Sequence, residues 1–175
     1  MFLSIFFSFI VLPVLWQQPV NQVDYLFFAD KNETEPIRIY SDVIDVAVTA
    51  ESFMAVDASS GKILYSKNPD EVRSIASITK LMTALVFLDY NPGWQTSFFT
   101  RASDRRNGGI IHLNTGEVLT ISNLFKTALI ASDNDATVAL ARSTGLSETE
   151  FINKMNQKAE QIGLVNTKFA DPTGL

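Results

Sequence analysis

Ser77-Ile78-Thr79-Lys80-Leu81-Met82-Thr83-Ala84-Leu85-Val86-Phe87-Leu88-Asp89-Tyr90 is the stretch on which the reading of this chain turns. From Leu81 to Leu88 only Thr83 is polar, and Asn91-Pro92-Gly93 stops the run. A helix that is apolar on every side belongs in the middle of a domain, so we expect this one to be central and buried. Its first turn holds a hydroxyl and an amine three residues apart, at Ser77 and Lys80. That spacing sets both on one helix face.

Upstream, Phe53 to Ala58 and Ile63 to Ser66 flank Ser59-Ser60-Gly61-Lys62, which predicts a hairpin turning at the glycine. Pro69 to Val72 reads as a loop. Downstream, Asn107-Gly108-Gly109 and Asn114-Thr115-Gly116 mark turns around the apolar run Ile110 to Leu113. Ser122 to Ala131 and Asp135 to Ser143 read as helices, the second stopping at Gly145. Ser147-Glu148-Thr149-Glu150 is a capping box that opens a helix to about Ile162, which Gly163 ends. A hairpin followed by helices predicts an α/β (α+β) domain rather than a bundle or a sandwich.

The chain has 175 residues, of which 46% are apolar and 19% charged, enough to bury one core. Its net charge of −5 offers no basic footprint for nucleic acid. There is no cysteine and one histidine, His112, so disulfides, cysteine-bound metals and a catalytic cysteine are excluded. A histidine-based triad could exist only at His112. Residues 1–23 read as a signal peptide or membrane anchor: Phe2 to Trp16 is nearly all apolar and the first charge is Asp24. That segment carries no basic residue before its apolar run. Residues 24–49 read as a linker, and 50–175 as the folded part. Asn32-Glu33-Thr34 matches a glycosylation triplet, a common pattern given little weight. The expected location is outside the cytoplasmic membrane, with a membrane contact through the N-terminal segment.

Ser77 and Lys80 can do acyl-transfer chemistry without histidine. A desolvated lysine loses its preference for the charged form and can take a proton from a serine hydroxyl. The helix start offers backbone N–H groups to a developing oxyanion. The spacing alone is unspecific, since Ser59 and Lys62 share it. Those two fall in the predicted hairpin turn, where both would be solvated; position favours Ser77. The second constellation is Ser132-Asp133-Asn134, between two helices. Ser132 could relay a proton, and the Asn134 amide could bridge a peptide bond. The plainer reading is that Ser132 or Asp133 caps the next helix.

Ser-x-x-Lys followed by Ser-Asp-Asn is the pattern of serine penicillin-binding proteins and class A β-lactamases. From about Ala50 to Leu175 the chain resembles the serine D-Ala-D-Ala carboxypeptidases, the low-molecular-mass penicillin-binding proteins. The likeness is carried by Ala58-Ser59-Ser60-Gly61-Lys62-Ile63-Leu64-Tyr65 and by Ile75 to Ala84. It continues in Leu113-Asn114-Thr115-Gly116-Glu117, Leu129 to Ala136, and Phe169-Ala170-Asp171-Pro172-Thr173-Gly174-Leu175. The resemblance implies a β-lactamase/transpeptidase-like fold. It implies that Ser77 attacks the carbonyl between two D-alanines of a peptidoglycan stem peptide, that Lys80 takes its proton, that Ser132 passes one to the departing D-alanine, and that Asn134 orients the substrate. β-Lactams would acylate Ser77. No cofactor or metal is implied.

That family's Lys-Thr-Gly motif is not found; Lys126-Thr127 is followed by Ala128 inside a predicted helix. We therefore expect an incomplete fold that lacks the C-terminal sheet strands, leaves the hairpin edges unpaired, and has less than full activity. A class A β-lactamase needs a deacylating glutamate where this chain has Lys168. A zinc carboxypeptidase would lack histidine and cysteine ligands. A D,D-endopeptidase and a non-catalytic penicillin-binding remnant share the same residues and stay open. His112 is expected to be an ordinary strand residue. Arg101, Asp104, Arg105 and Arg106 are expected to form a solvated charged loop.

Overall fold

The computed structural model describes residues 36–37 and 47–175. The expected export segment and most of the expected linker lie outside them. Among the described residues no helix is long and apolar enough to cross a membrane. Two compact units are present: one contains Met54–Tyr65, the other Val48–Phe53 and Ser66–Leu175.

The first unit is the tip of a hairpin. Strand β1 (Phe53–Val56) pairs with β2 (Ile63–Lys67). The turn is built on Asp57, whose Oδ2 accepts from both the N–H and the hydroxyl of Ser60 at 2.7 Å. Those hydrogen bonds hold the Asp57 carboxyl below its usual range. Gly61 closes the turn at φ +72°, a conformation that favours glycine. The hairpin stands where the sequence predicts it.

In the second unit, α1 (Thr79–Asp89), α2 (Ile121–Ile130), α3 (Asn134–Ser143) and α4 (Glu148–Gln161) follow in chain order. The capping box at Ser147 and Glu150 forms as expected. The central helix is α3, not α1. All of α3 except Arg142 is buried, whereas α1 leaves Leu81 and Leu88 exposed. Composition explains the exchange. Ala136, Ala139 and Ala141 let neighbouring helices approach closely, while the bulky α1 covers the core from one side. One core joins Phe87, Leu113, Ile121, Leu124, Ala128 and Leu140. A second joins Met82, Val86, Phe151, Met155 and Phe169. Phe87 and Phe151 are fully buried, each contributing about 2–3 kcal/mol of apolar transfer.

A second two-stranded sheet was not legible in the sequence. Strand β3 (Ser97–Phe99) runs antiparallel to β4 (Val118–Thr120), with Phe98 opposite Leu119. Three residues are too few to show an alternating pattern.

The charged stretch 101–106 is solvated only in part: Arg101 and Arg105 are exposed, but Asp104 is not. Asp104 is 1% exposed and takes a two-pronged bond from Arg142, Nε to Oδ1 at 2.9 Å and Nη2 to Oδ2 at 2.8 Å. Arg142 also lies over the Phe98 ring, 4.4 Å from its centroid. Arg105 and Arg106 bond to Asp135 and Glu148. These pairs join positions about 30 to 40 residues apart, beyond the reach of local pattern.

Candidate active site

A single turn of 3-10 helix, Ala76–Ile78, leads into α1 and carries Ser77. Ala76 takes φ +46°, which strains a residue with a Cβ. The turn exposes Ser77, while Lys80, one turn later, is 3% exposed. Lys80 Nζ lies 2.9 Å from Ser77 Oγ and 3.3 Å from the Thr173 carbonyl oxygen. Burial pulls the Lys80 amine below the usual lysine range; the charges of Asp171 and Asp133 partly offset this. A lysine in that setting gives up its proton more readily than a free one and can accept one from the hydroxyl it touches.

The Thr173 carbonyl is fixed by a turn built on Asp171. Its Oδ1 accepts from the N–H of Thr173 at 2.6 Å and of Gly174 at 2.8 Å, and from the Thr173 hydroxyl. Burial raises the Asp171 carboxyl, but the bonds from Thr173, Gly174 and Leu175 outweigh it and hold the group below its usual range. Thr83 Oγ1 donates to the Pro172 carbonyl at 2.6 Å, fastening the same turn to α1. Asp171 and Thr173 were not assigned roles from sequence. Asp-Pro-Thr-Gly is itself a turn signature, the one local sign that could have marked them.

Ser132 and Asn134 flank the start of α3. Ser132 is exposed and left-handed, at φ +54°. Asp133 caps α3 through Oδ1, which accepts from the Ala136 N–H at 2.7 Å. The plainer sequence reading of this segment as a cap therefore holds for Asp133. The cap uses the Asp133 side chain and neither the Ser132 hydroxyl nor the Asn134 amide. Asn134 Nδ2 donates to the Gly108 carbonyl at 2.9 Å. Ser77 and Lys80 are thus joined directly, whereas among the described residues Ser132 and Asn134 make no hydrogen bond to either. The Asp133 charge nonetheless acts on Lys80, which places the two segments within electrostatic reach.

His112 sits in a loop rather than a strand. Its Nδ1 lies 3.0 Å from Asp133 Oδ2. A groove of about 520 Å³ runs between the stretch 69–76 and the stretch 163–171, but neither Ser77 nor Ser132 lines it.

Residues 40–175 match the family model described as Peptidase S11, D-alanyl-D-alanine carboxypeptidase. The D-alanyl-D-alanine carboxypeptidase DacF of Bacillus subtilis is 40% identical over 136 residues, covering 75% of this chain and 35% of that protein. A D-alanyl-D-alanine endopeptidase of Haemophilus influenzae is 39% identical over 128 residues, covering 72% of this chain and 44% of that protein. Among solved structures, penicillin binding protein 5 from Haemophilus influenzae superposes with a TM-score of 0.69 at 30% identity, over 76% of this chain and 41% of that one. The chain thus shares the fold of these proteins over part of its extent and spans less than half of each.

Proposed function

The chain belongs to the D-alanyl-D-alanine carboxypeptidase family, and from that premise we propose that it carries the acylating half of a serine D,D-peptidase site, with Ser77 as nucleophile. The observation that carries this reading is the 2.9 Å contact between an exposed serine hydroxyl and a buried lysine amine at the head of α1.

In this mechanism neutral Lys80 takes the Ser77 proton as Oγ attacks the carbonyl between two D-alanines of a peptidoglycan stem peptide. The tetrahedral intermediate collapses and the C–N bond breaks. The departing amine receives a proton that Ser132 relays from Lys80. The penultimate D-alanine is left as an ester on Ser77, and water hydrolyses it. Asn134, whose amide both donates and accepts, aligns the peptide backbone. A β-lactam ring opens on Ser77 in the same way and leaves a covalent adduct. The reading places residues 50–175 in the catalytic domain and the protein outside the cytoplasmic membrane, where the substrate lies.

Endopeptidase action is the second reading, favoured by the 39% identical relative. One set of residues cleaves either bond, and the two differ only in whether the leaving amine is a free D-alanine or a cross-linked side chain.

The test is incubation with a labelled penicillin, read by intact mass, with Ser77→Ala as control. A single adduct that the control lacks is expected. An adduct that persists in the control overturns the Ser77 assignment, and no adduct at all favours a non-catalytic role. Release of D-alanine from linear stem peptides, compared with cleavage of cross-linked dimers, separates carboxypeptidase from endopeptidase action.

A further inference from the structure

The segment 105–112 crosses the start of α3 and is fastened there by several bonds. Arg105 Nη1 donates to Asp135 Oδ2 at 2.7 Å, and the Arg106 N–H donates to Asp135 Oδ1 at 3.0 Å. Asn134 Nδ2 donates to the Gly108 carbonyl at 2.9 Å. The His112 N–H donates to Asp133 Oδ2 at 3.1 Å, and His112 Nδ1 stands 3.0 Å from the same oxygen. The Asp133 side chain is 1% exposed and that of His112 38%.

We propose that His112 is a positioning residue for Ser132 and Asn134, acting through Asp133. The inference rests on the reading of Ser132 and Asn134 as site residues. Asp133 lies between the two in the chain, so its side chain sets where both emerge. One of its oxygens is committed to the N-terminus of α3 through Ala136. The other, among the described residues, is held by His112, through backbone and ring together. Ser132 needs such bracing. A left-handed serine is strained and persists only where its surroundings over-determine it. A carboxylate only accepts, so the Nδ1 contact requires the proton on Nδ1. In the neutral ring this fixes the tautomer; in the charged ring both nitrogens carry protons and the contact stands unchanged.

The test has one arm that needs no catalysis. Nitrogen-15 NMR of the full chain at neutral pH should show His112 protonated at Nδ1. A ring protonated only at Nε2 overturns the proposal. Hydrogen exchange at the Ala136 amide should quicken about tenfold in His112→Ala and return to within about twofold of the parent in His112→Asn, whose amide can replace the Nδ1 donor. Unchanged exchange in His112→Ala also overturns it. In the second arm, acylation of Ser77 by labelled penicillin should slow about tenfold in His112→Ala and recover in His112→Asn. Equal acylation of the parent and both variants overturns the positioning role and leaves the Ser77 reading intact. If no chain is acylated while the NMR and exchange results stand, the functional reading fails and the His112–Asp133 bracing survives.

Discussion

Gly174 packs so tightly on the turn before the serine that a Cβ built on it would lie 1.9 Å from the Ala76 carbonyl oxygen. It would also lie 2.7 Å from Thr79 Oγ1. Gly174 itself takes φ +85°. Backbone of the Asp171–Gly174 turn thus rests directly on the strained turn that presents Ser77. The same turn delivers the Thr173 carbonyl to Lys80. The serine and lysine are set by the 3-10 turn and the α1 helix that continues it, but the environment that tunes them is set by a segment roughly 90 residues later.

Gly174→Ala should therefore damage both fold and site. The added methyl meets backbone atoms, which cannot swing aside, and the positive φ adds strain. A loss of about 3 kcal/mol is expected, read as a lower urea midpoint. Penicillin labelling of Ser77 should fall with it, even at temperatures where the variant remains folded.

Lys80→Arg should abolish acylation while keeping a positive charge. A guanidinium stays protonated at any usable pH and cannot act as base. The expected loss is about a hundredfold or more, measured as the second-order rate of adduct formation. A variant that acylates at the parent rate would remove Lys80 from the mechanism.

The rate of Ser77 acylation should rise with pH through the Lys80 titration, which burial places below the ordinary lysine value of 10.5. Asp171→Asn deletes a charge that favours the ammonium form, yet keeps an oxygen able to accept from Thr173 and Gly174. The rising limb should move to lower pH. The same substitution should change acid stability. The native carboxyl is held below 3.8, so its contribution is present above that value and lost as pH falls through the folded pKa. Urea midpoints at neutral and acid pH should diverge less in the variant than in the parent.

Arg142→Ala should destabilise the domain by about 3–5 kcal/mol, because it strands the buried Asp104 charge. The Arg142 guanidinium over the Phe98 ring is lost as well. Arg142→Ala combined with Asp104→Ala should recover part of that loss, a comparison that urea melts can make.

Ser132→Gly separates hydroxyl from backbone at the left-handed position. Glycine accepts φ +54° without strain, so stability should hold to within about 1 kcal/mol. Turnover should fall about a hundredfold if the hydroxyl relays the proton. Full activity in this variant would assign that relay elsewhere.

The sequence by itself determined what local geometry controls. A spacing of three residues puts Ser77 and Lys80 side by side wherever a helix forms, and Lys80 Nζ lies 2.9 Å from Ser77 Oγ. The hairpin turn at Gly61 and the capping box at Ser147 are equally local, and both stand where the residues predict. Asp133 could be read as a cap from its place before a helix. Only tertiary structure decided the rest. No periodicity announces that Thr173 will offer its carbonyl to Lys80, that Asp104 will be buried against Arg142, or that His112 will meet Asp133. Nor does apolar content alone reveal that the small-residue helix α3 takes the centre while the bulkier α1 keeps an exposed face. Those outcomes depend on which segments close-pack once the chain has folded. Close packing is settled by volume and by the pairing of distant polar groups, which a local pattern does not encode.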